Sequence, residues 1–309
     1  MGKEKTMQNQ EIFKRPVWKA IFSMGIPSLI SVLVMIIYNM ADMYFIGFLN
    51  DYTQVAAVSL IMPVFSIMTA VSMLLGNGGC TLIAQALGAG EKKRARSYMS
   101  LCIWTAILLG VIIAGLIIVF SNPLLKFLGT NEEMWQYARN YMLILAVGSP
   151  AMLLNYTIAC LVRGEGVIKP GLIANFVSTG MNILWDPVLI LGVKMGVSGA
   201  ALATVLSNVI GIVYLIWYKM HHEMILTFNP KPARESVRHL GRVFALGFPN
   251  AISNILNGFA STFSNQLLVL YGTSAVAAMA AAGKATMIVG LLQMGLCMGV
   301  QPLMAYYYG

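Results

Sequence analysis

A chain of 309 residues that is 58% hydrophobic and only 10% charged is not a soluble domain, since such domains carry roughly 25% charged residues. Its mean hydropathy of +0.76 reads as an all-α polytopic membrane protein with about eight transmembrane helices. The formal net charge of +9 could suggest nucleic acid, but the placement of the charges along the chain excludes that reading. The four cysteines, Cys80, Cys102, Cys160 and Cys297, fall in apolar stretches without zinc spacing and read as small core residues, with no disulfides expected.

In chain order, residues 1–16 form a polar tail, and the apolar run after it is too long for a signal peptide. The spans read as 17–48, 53–88, 97–120, 136–161, 171–192, 197–218, 243–271 and 275–309. With the N-terminus inside, the inner segments hold Lys3, Lys5, Lys14, Arg15 and Lys19, then Lys92, Lys93, Arg94 and Arg96, then Arg163 and Lys169, then Lys219, Lys231, Arg234, Arg238 and Arg242. The outer segments hold only Lys126, Arg139 and Lys194. That asymmetry predicts a multi-pass cell-membrane protein with a cytoplasmic N-terminus, and no nucleic-acid partner.

The first span contains Gly25-Ile26-Pro27, a kink signal at Pro27, and later Tyr38, Asn39 and Asp42. The second is rich in small residues, which let helices approach in lipid. Trp135 and Tyr137 read as interfacial anchors before the fourth span, which carries Asn155. The fifth, GLIANFVSTGMNILWDPVLILG from Gly171 to Gly192, is the chemical centre of the chain. Asn182 and Asp186 stack one helical turn apart, Asn175 and Ser178 or Thr179 continue that face inward, and Pro187 can free a carbonyl for an ion. A carboxylate at membrane depth costs about 2.5–3.5 kcal/mol even on lenient insertion scales and marks an ion or substrate path. The plainer alternative is a helix-end cap at the membrane surface; about six residues follow Asp186 before Gly192, roughly 9 Å, which is deep for a cap. The sixth span holds Thr204 and Asn208, again one turn apart.

Residues 219–242 read as a cytoplasmic linker with a short basic helix; His221, His222 and His239 show no zinc spacing. Beyond it the chain repeats itself. Gly25-Ile26-Pro27-Ser28 returns as Gly247-Phe248-Pro249-Asn250, offset by 222, and Val55-Ala56-Ala57 as Val276-Ala277-Ala278, offset by 221. Gly78 then matches Gly299, and Gly88 matches Gly309. Six spans separate the copies, so the repeat is parallel. The expected division is a complete six-helix first lobe at 17–218 and a two-helix partial second lobe at 243–309; a full second copy would add about four spans. Asp42 aligns with Ser264, so the buried acids belong to the first lobe, while Lys284 is a candidate buried polar group of the second.

Asp42, Asp186 and Thr204 all sit roughly 9–11 Å below the outer surface at 1.5 Å per residue, the common depth that one site requires. Two carboxylates in one low-dielectric pocket repel, and a proton or sodium ion relieves the repulsion. Oxygen ligands suit such a hard cation.

The YNMAD at Tyr38–Asp42, the NILWDP at Asn182–Pro187, the GAALAT at Gly199–Thr204 and the repeat resemble the multidrug and toxic compound extrusion (MATE) family, and the VQPLMAYYYG ending is similar to that of its bacterial MepA-type subgroup. The resemblance implies a secondary antiporter, not an enzyme and without a cofactor, that exports cationic or amphiphilic compounds in exchange for Na⁺ or H⁺. It implies that Asp42, Asn182, Asp186 and Thr204 form the coupling-cation site, with Tyr38, Asn39, Asn175, Asn155 and Lys284 as supporting polar groups and Pro27 as the kink. It further implies a chain short of spans nine to twelve, whose transport awaits a second-lobe fragment as partner. The alternative is a lipid-linked oligosaccharide flippase on a related bundle, which would need a basic central cavity; a membrane enzyme would need interfacial His, Ser or acidic clusters, and none appears.

The charge asymmetry is tested by cysteine labelling. Cysteines placed at Glu91 and Glu235 are expected to react only from the cytoplasmic side, and those at Asp51 and Glu132 only from outside; external labelling at Glu235 would reverse the orientation.

Overall fold

The structure, a computed structural model, describes residues 52–269 continuously, and residues 16, 18–23, 25–30, 32–34, 289–290, 293, 295–297 and 299–309 around them. Asp42, Tyr38, Asn39 and Lys284 lie outside the described residues. The continuous part is helical: α1 (Tyr52–Gly88), α2 (Lys92–Val119), α3 (Ser121–Phe127), α4 (Glu132–Gly164), α5 (Ile168–Pro187), a π-helical turn (Val188–Gly192), α6 (Val197–His221), α7 (Pro230–Ser236), a 3₁₀ turn (Val237–His239) and α8 (Leu240–Val269). Segments Thr53–Gly88, Lys92–Val119, Glu132–Gly164 and Val197–His221 are each long and apolar enough to cross a membrane.

The helices end where local chemistry stops or starts them. Asn131 caps α4 by accepting the Met134 N–H at 3.0 Å, and Glu132 and Glu133 follow at the positive end of the dipole. Gly90 and Gly166 take positive φ in the turns after α1 and α4. Pro150 leaves the Ala146 carbonyl without its helical donor; the Ser149 hydroxyl lies 2.8 Å from that carbonyl and 2.8 Å from Gly110 O on α2. The spans read from the sequence leave Arg163 in the inner segment between residues 161 and 171. It stands instead in the last turn of α4, half-buried, donating to Cys160 Sγ at 2.9 Å, because the helix runs on to Gly164. Cys80, Cys102 and Cys160 are core residues, but Cys297 is exposed, contrary to expectation.

α4 runs through the middle of the bundle, packed on α1, α2, α6 and α5. The polarity is that of a body in lipid. α2 turns Leu108, Val111, Ile112, Leu116 and Val119 outward at helical spacing, while Ser149, Asn155, Thr157, Ser178, Asn182, Asp186 and Ser207 are buried.

The two copies of the repeat meet reciprocally. Gly88 approaches Tyr306 O so closely that a Cβ would overlap it, and Gly309 approaches Gln85 O in the same way. Residues 85 and 306 are 221 apart, and so are 88 and 309. Gly247 abuts Leu74 O, and Gly25 abuts the Leu296 side chain, so each copy's first helix lies against the other's second. Contact of i with j and of j's mate with i's mate is what a two-fold relation produces.

The segment after α6 is strapped to the bundle. Trp104 Nε1 donates to Phe228 O at 3.1 Å, Ser100 Oγ donates to Asn229 O, and Leu226 is fully buried. The expected short basic helix is α7, with Pro230 in its first turn and Asn229 accepting the Lys231 N–H at 3.1 Å. Just past α4, Glu165 Oε1 accepts the Ile225 N–H at 2.7 Å. Burial pushes this carboxyl up to about 7, against the opposing pull of the Ile225 hydrogen bond, Arg96 and Lys219.

Two outcomes follow from this packing. Gly247→Ala is expected to lower the thermal midpoint, by the equivalent of about 1–3 kcal/mol for overpacking, whereas Gly241→Ala, with nothing near its Cβ, leaves it unchanged. Because the folded carboxyl of Glu165 titrates above its ordinary value of 4.5, docking of the strap is strongest below that pH and weakens as pH rises through about 7. Hydrogen exchange at Ile225 should accelerate over that window, and Glu165→Gln should flatten the dependence.

Candidate functional site

The buried polar groups gather where the last turns of α5 face the first half of α6. Small residues set that distance. A Cβ on Gly199 would press on the Leu189 backbone of the π turn, and Ala200, Ala201 and Ala203 continue the close-packed face. The GAALAT segment is thus a contact surface as well as the start of a span.

Asp186 is fully buried, Asn182 is 1% exposed and Thr204 is 7% exposed. With its nitrogen toward Asp186, the Asn182 amide donates to Asp186 Oδ2 at 3.1 Å and accepts the Thr204 backbone N–H at 3.1 Å; its orientation is assigned from those partners. The Thr204 hydroxyl bonds back to Ala200 O at 3.0 Å. The structure therefore brings Asn182, Asp186 and Thr204 together, as their depths along the spans predict.

The polar groups continue inward as a ladder. Asn208 Nδ2 donates to Thr204 O at 2.7 Å, and Asn155 Nδ2 donates to Asn208 Oδ1 at 3.0 Å, linking α6 to α4. Gly211 leaves the space that the Asn155 amide occupies. Ser178 Oγ donates to Ser207 O at 2.9 Å, tying α5 to α6. Of the two alternatives Ser178 and Thr179, Ser178 is the one that bonds across to α6, while Asn175 is half-buried on α5. Pro27 is half-buried within the helical residues 25–30.

Three parts escaped the sequence reading. Ser207 lies one turn from Thr204, and that spacing could have found it. Gln54 accepts the Val197 N–H at 3.1 Å and so caps α6 from 143 residues away. The turn after Pro187 is π-helical, with the Val193 N–H reaching Val188 O at 2.8 Å. Pro187 was expected to loosen the helix at this point; the loosening takes the form of a wide turn, a feature frequent at functional sites. A buried carboxylate with amide and hydroxyl groups beside it, enclosed by apolar helices, is chemistry for a hard cation or a proton.

The MatE family matches residues 27–188 and again 249–309, with starting points 222 residues apart, the offset of the internal repeat. The chain is 33% identical over 305 residues to the multidrug export protein MepA of Staphylococcus aureus (strain NCTC 8325 / PS 47), covering 98% of this chain and 68% of that protein. It is 31% identical over 306 residues to the protein of the same description from Staphylococcus haemolyticus (strain JCSC1435), with the same coverage of each. Among solved structures it resembles the outward-facing conformation of a multidrug resistance MATE family transporter of the MOP superfamily, with a TM-score of 0.88, 26% identity, and coverage of 97% of this chain and 66% of that one. A MOP superfamily transporter from Pyrococcus furiosus gives a TM-score of 0.87 at 26% identity, with 97% of this chain and 66% of that one covered. The chain spans about two thirds of the length of these relatives. With the matched family covering most of its length and the repeat recurring inside it, this chain belongs to the MatE family of multi-pass membrane transporters, and is not an enzyme.

Proposed function

We propose that the chain carries the cation-coupling lobe of a multidrug exporter, a secondary antiporter that moves cationic or amphiphilic compounds outward in exchange for Na⁺ or H⁺. The observation that supports this most is Asp186: a fully buried carboxylate hydrogen-bonded to Asn182 beside Thr204. A carboxylate kept at such cost inside an apolar bundle is retained for what it binds. In this reading Asp42 joins Asn182, Asp186 and Thr204 as the coupling site, and Asn155, Asn175, Tyr38, Asn39 and Lys284 are polar support. The first lobe is 17–218, residues 219–242 are a cytoplasmic linker, and 243–309 open the second lobe.

The coupling follows from charge. Without a bound cation, Asp42 and Asp186 repel and hold the first lobe in one arrangement. A proton or Na⁺ removes that repulsion, the first helix bends near Pro27, and the affinity for a cationic substrate between the lobes falls. Two states with different affinities for the same ion are the requirement for exchange.

In a protein extended to the full length of the relatives, Asp42→Asn and Asp186→Asn are each expected to reduce gradient-driven efflux from vesicles to background with the fold intact. Asn keeps the shape but supplies no charge and exchanges no proton. Thr204→Ala, which removes one neutral oxygen, should reduce efflux several-fold only. Undiminished efflux in both acid variants would end this reading, and proton release against ²²Na⁺ uptake on substrate addition identifies the ion.

A further inference from the structure

The basic end of the bundle holds a cavity that the transport reading does not use. Its volume is about 190 Å³, and Gln85, Glu91, Arg94, Tyr98, Arg242 and Tyr308 line it, with Gly309 at one edge. At about 30 Å³ per water in the liquid, that is room for roughly six waters, enough for a tetrahedral oxyanion. The cavity lies beside the reciprocal contacts of Gln85 with Gly309 and of Gly88 with Tyr306. One wall therefore belongs to the first copy of the repeat and the other to the second.

The charge around it is positive and comes from two elements, with Arg94 and Arg242 both lining the cavity. Arg94 stands in the first turn of α2, bonded to Glu91 at 2.7 Å and 5.9 Å from the Tyr98 ring centroid. Arg242 stands in the first turn of α8, and Arg238 in the 3₁₀ turn before it; both are exposed and form no ion pair among the described residues. The His239 ring packs edge-on to Tyr98 at 5.5 Å. Burial and then the charges of Arg238, Arg94 and Arg242 hold that imidazole below its usual range. Against them stands Glu91, already engaged by Arg94. α2 opens with Lys92, Lys93, Arg94 and Arg96 and has no acid in its first turn. Cations at the positive end of a helix dipole are unfavourable, and an anion seated there relieves them.

We propose that this cavity is a phosphate-binding site, held by Arg94 of α2 and Arg242 of α8, whose ligand is the phosphate of an anionic glycerophospholipid headgroup or free inorganic phosphate. Arginine forks suit phosphate oxygens, and a basic patch at the end of membrane helices is where anionic headgroups lie. A ligand bridging α2 and α8 ties the two helices together at this end. It favours the conformation in which the bundle is closed there.

The test uses the 309-residue chain in nanodiscs of mixed phosphatidylglycerol and phosphatidylcholine, with native mass spectrometry counting retained lipid and inorganic phosphate as a competitor. Wild-type protein is expected to retain phosphatidylglycerol in preference to phosphatidylcholine. Arg94→Gln with Arg242→Gln should reduce that retention about ten-fold, the scale of a lost charge-assisted hydrogen bond. Arg242→Lys should retain most of it, and Lys169→Gln, exposed outside the cavity, all of it. Loss of bound lipid on adding phosphate, with phosphate binding removed by the same double substitution, assigns the site to the free anion. Equal retention of the two lipids with no phosphate binding, or equal binding by the wild type and a double variant of unchanged helicity, overturns the proposal. If the double variant does not fold, the single Arg242→Gln and Arg242→Lys pair decides by the same readout.

Discussion

A carboxylate enclosed by apolar helices must be answered by protein dipoles, because neither water nor lipid can solvate it. Asp186 is answered by the Asn182 amide one turn earlier, and that amide is answered in turn by the Thr204 backbone N–H on α6. Through Asn208 and Asn155 the same chain of donors reaches α4. Three helices are therefore bound to one charge, and their rotations about their own axes are no longer independent. The buried hydroxyl and amide residues of these helices face one another for that reason.

Such a ladder works only if the helices come close, and glycine allows this. Gly199 lets α6 lie on the π turn after Pro187, Gly211 makes room for Asn155, and Gly148 accepts Val205. Between the copies, Gly88, Gly247 and Gly309 bring backbone to backbone. In lipid there is little hydrophobic gain from joining helices, so close van der Waals contact and interhelical hydrogen bonds supply most of the attraction.

The basic end is organised on different terms. There the strap after α6 is held by Trp104, Ser100 and Glu165, and Arg94 of α2 and Arg242 of α8 border one cavity with Tyr98. Charge is inexpensive at this depth because water and headgroups are near. Lys92, Lys93, Arg94 and Arg96 open α2 here and Arg234, Arg238 and Arg242 follow the strap, while the level of Asp186 holds neutral donors and oxygens.

Much of this was legible in order of residues alone. Asn182 and Asp186, and Thr204 and Asn208, each fall one helical turn apart, and periodicity assigns such pairs to a common face without further information. The repeat was legible because recurring Gly-x-Pro and Gly positions record the same backbone geometry twice. The sequence by itself determined the all-helical class, the approximate helices among the described residues and the recurrence of one pattern in two copies. Only the tertiary structure decided which faces meet. Gln54 caps a helix that starts 143 residues later, Ser178 meets Ser207, Ile225 reaches back to Glu165, and Arg94 and Arg242 border one cavity. No periodicity connects residues on different helices, because their pairing depends on how closely the backbones approach and at what rotation. Those two quantities are set jointly by glycines and hydrogen bonds distributed over the whole bundle.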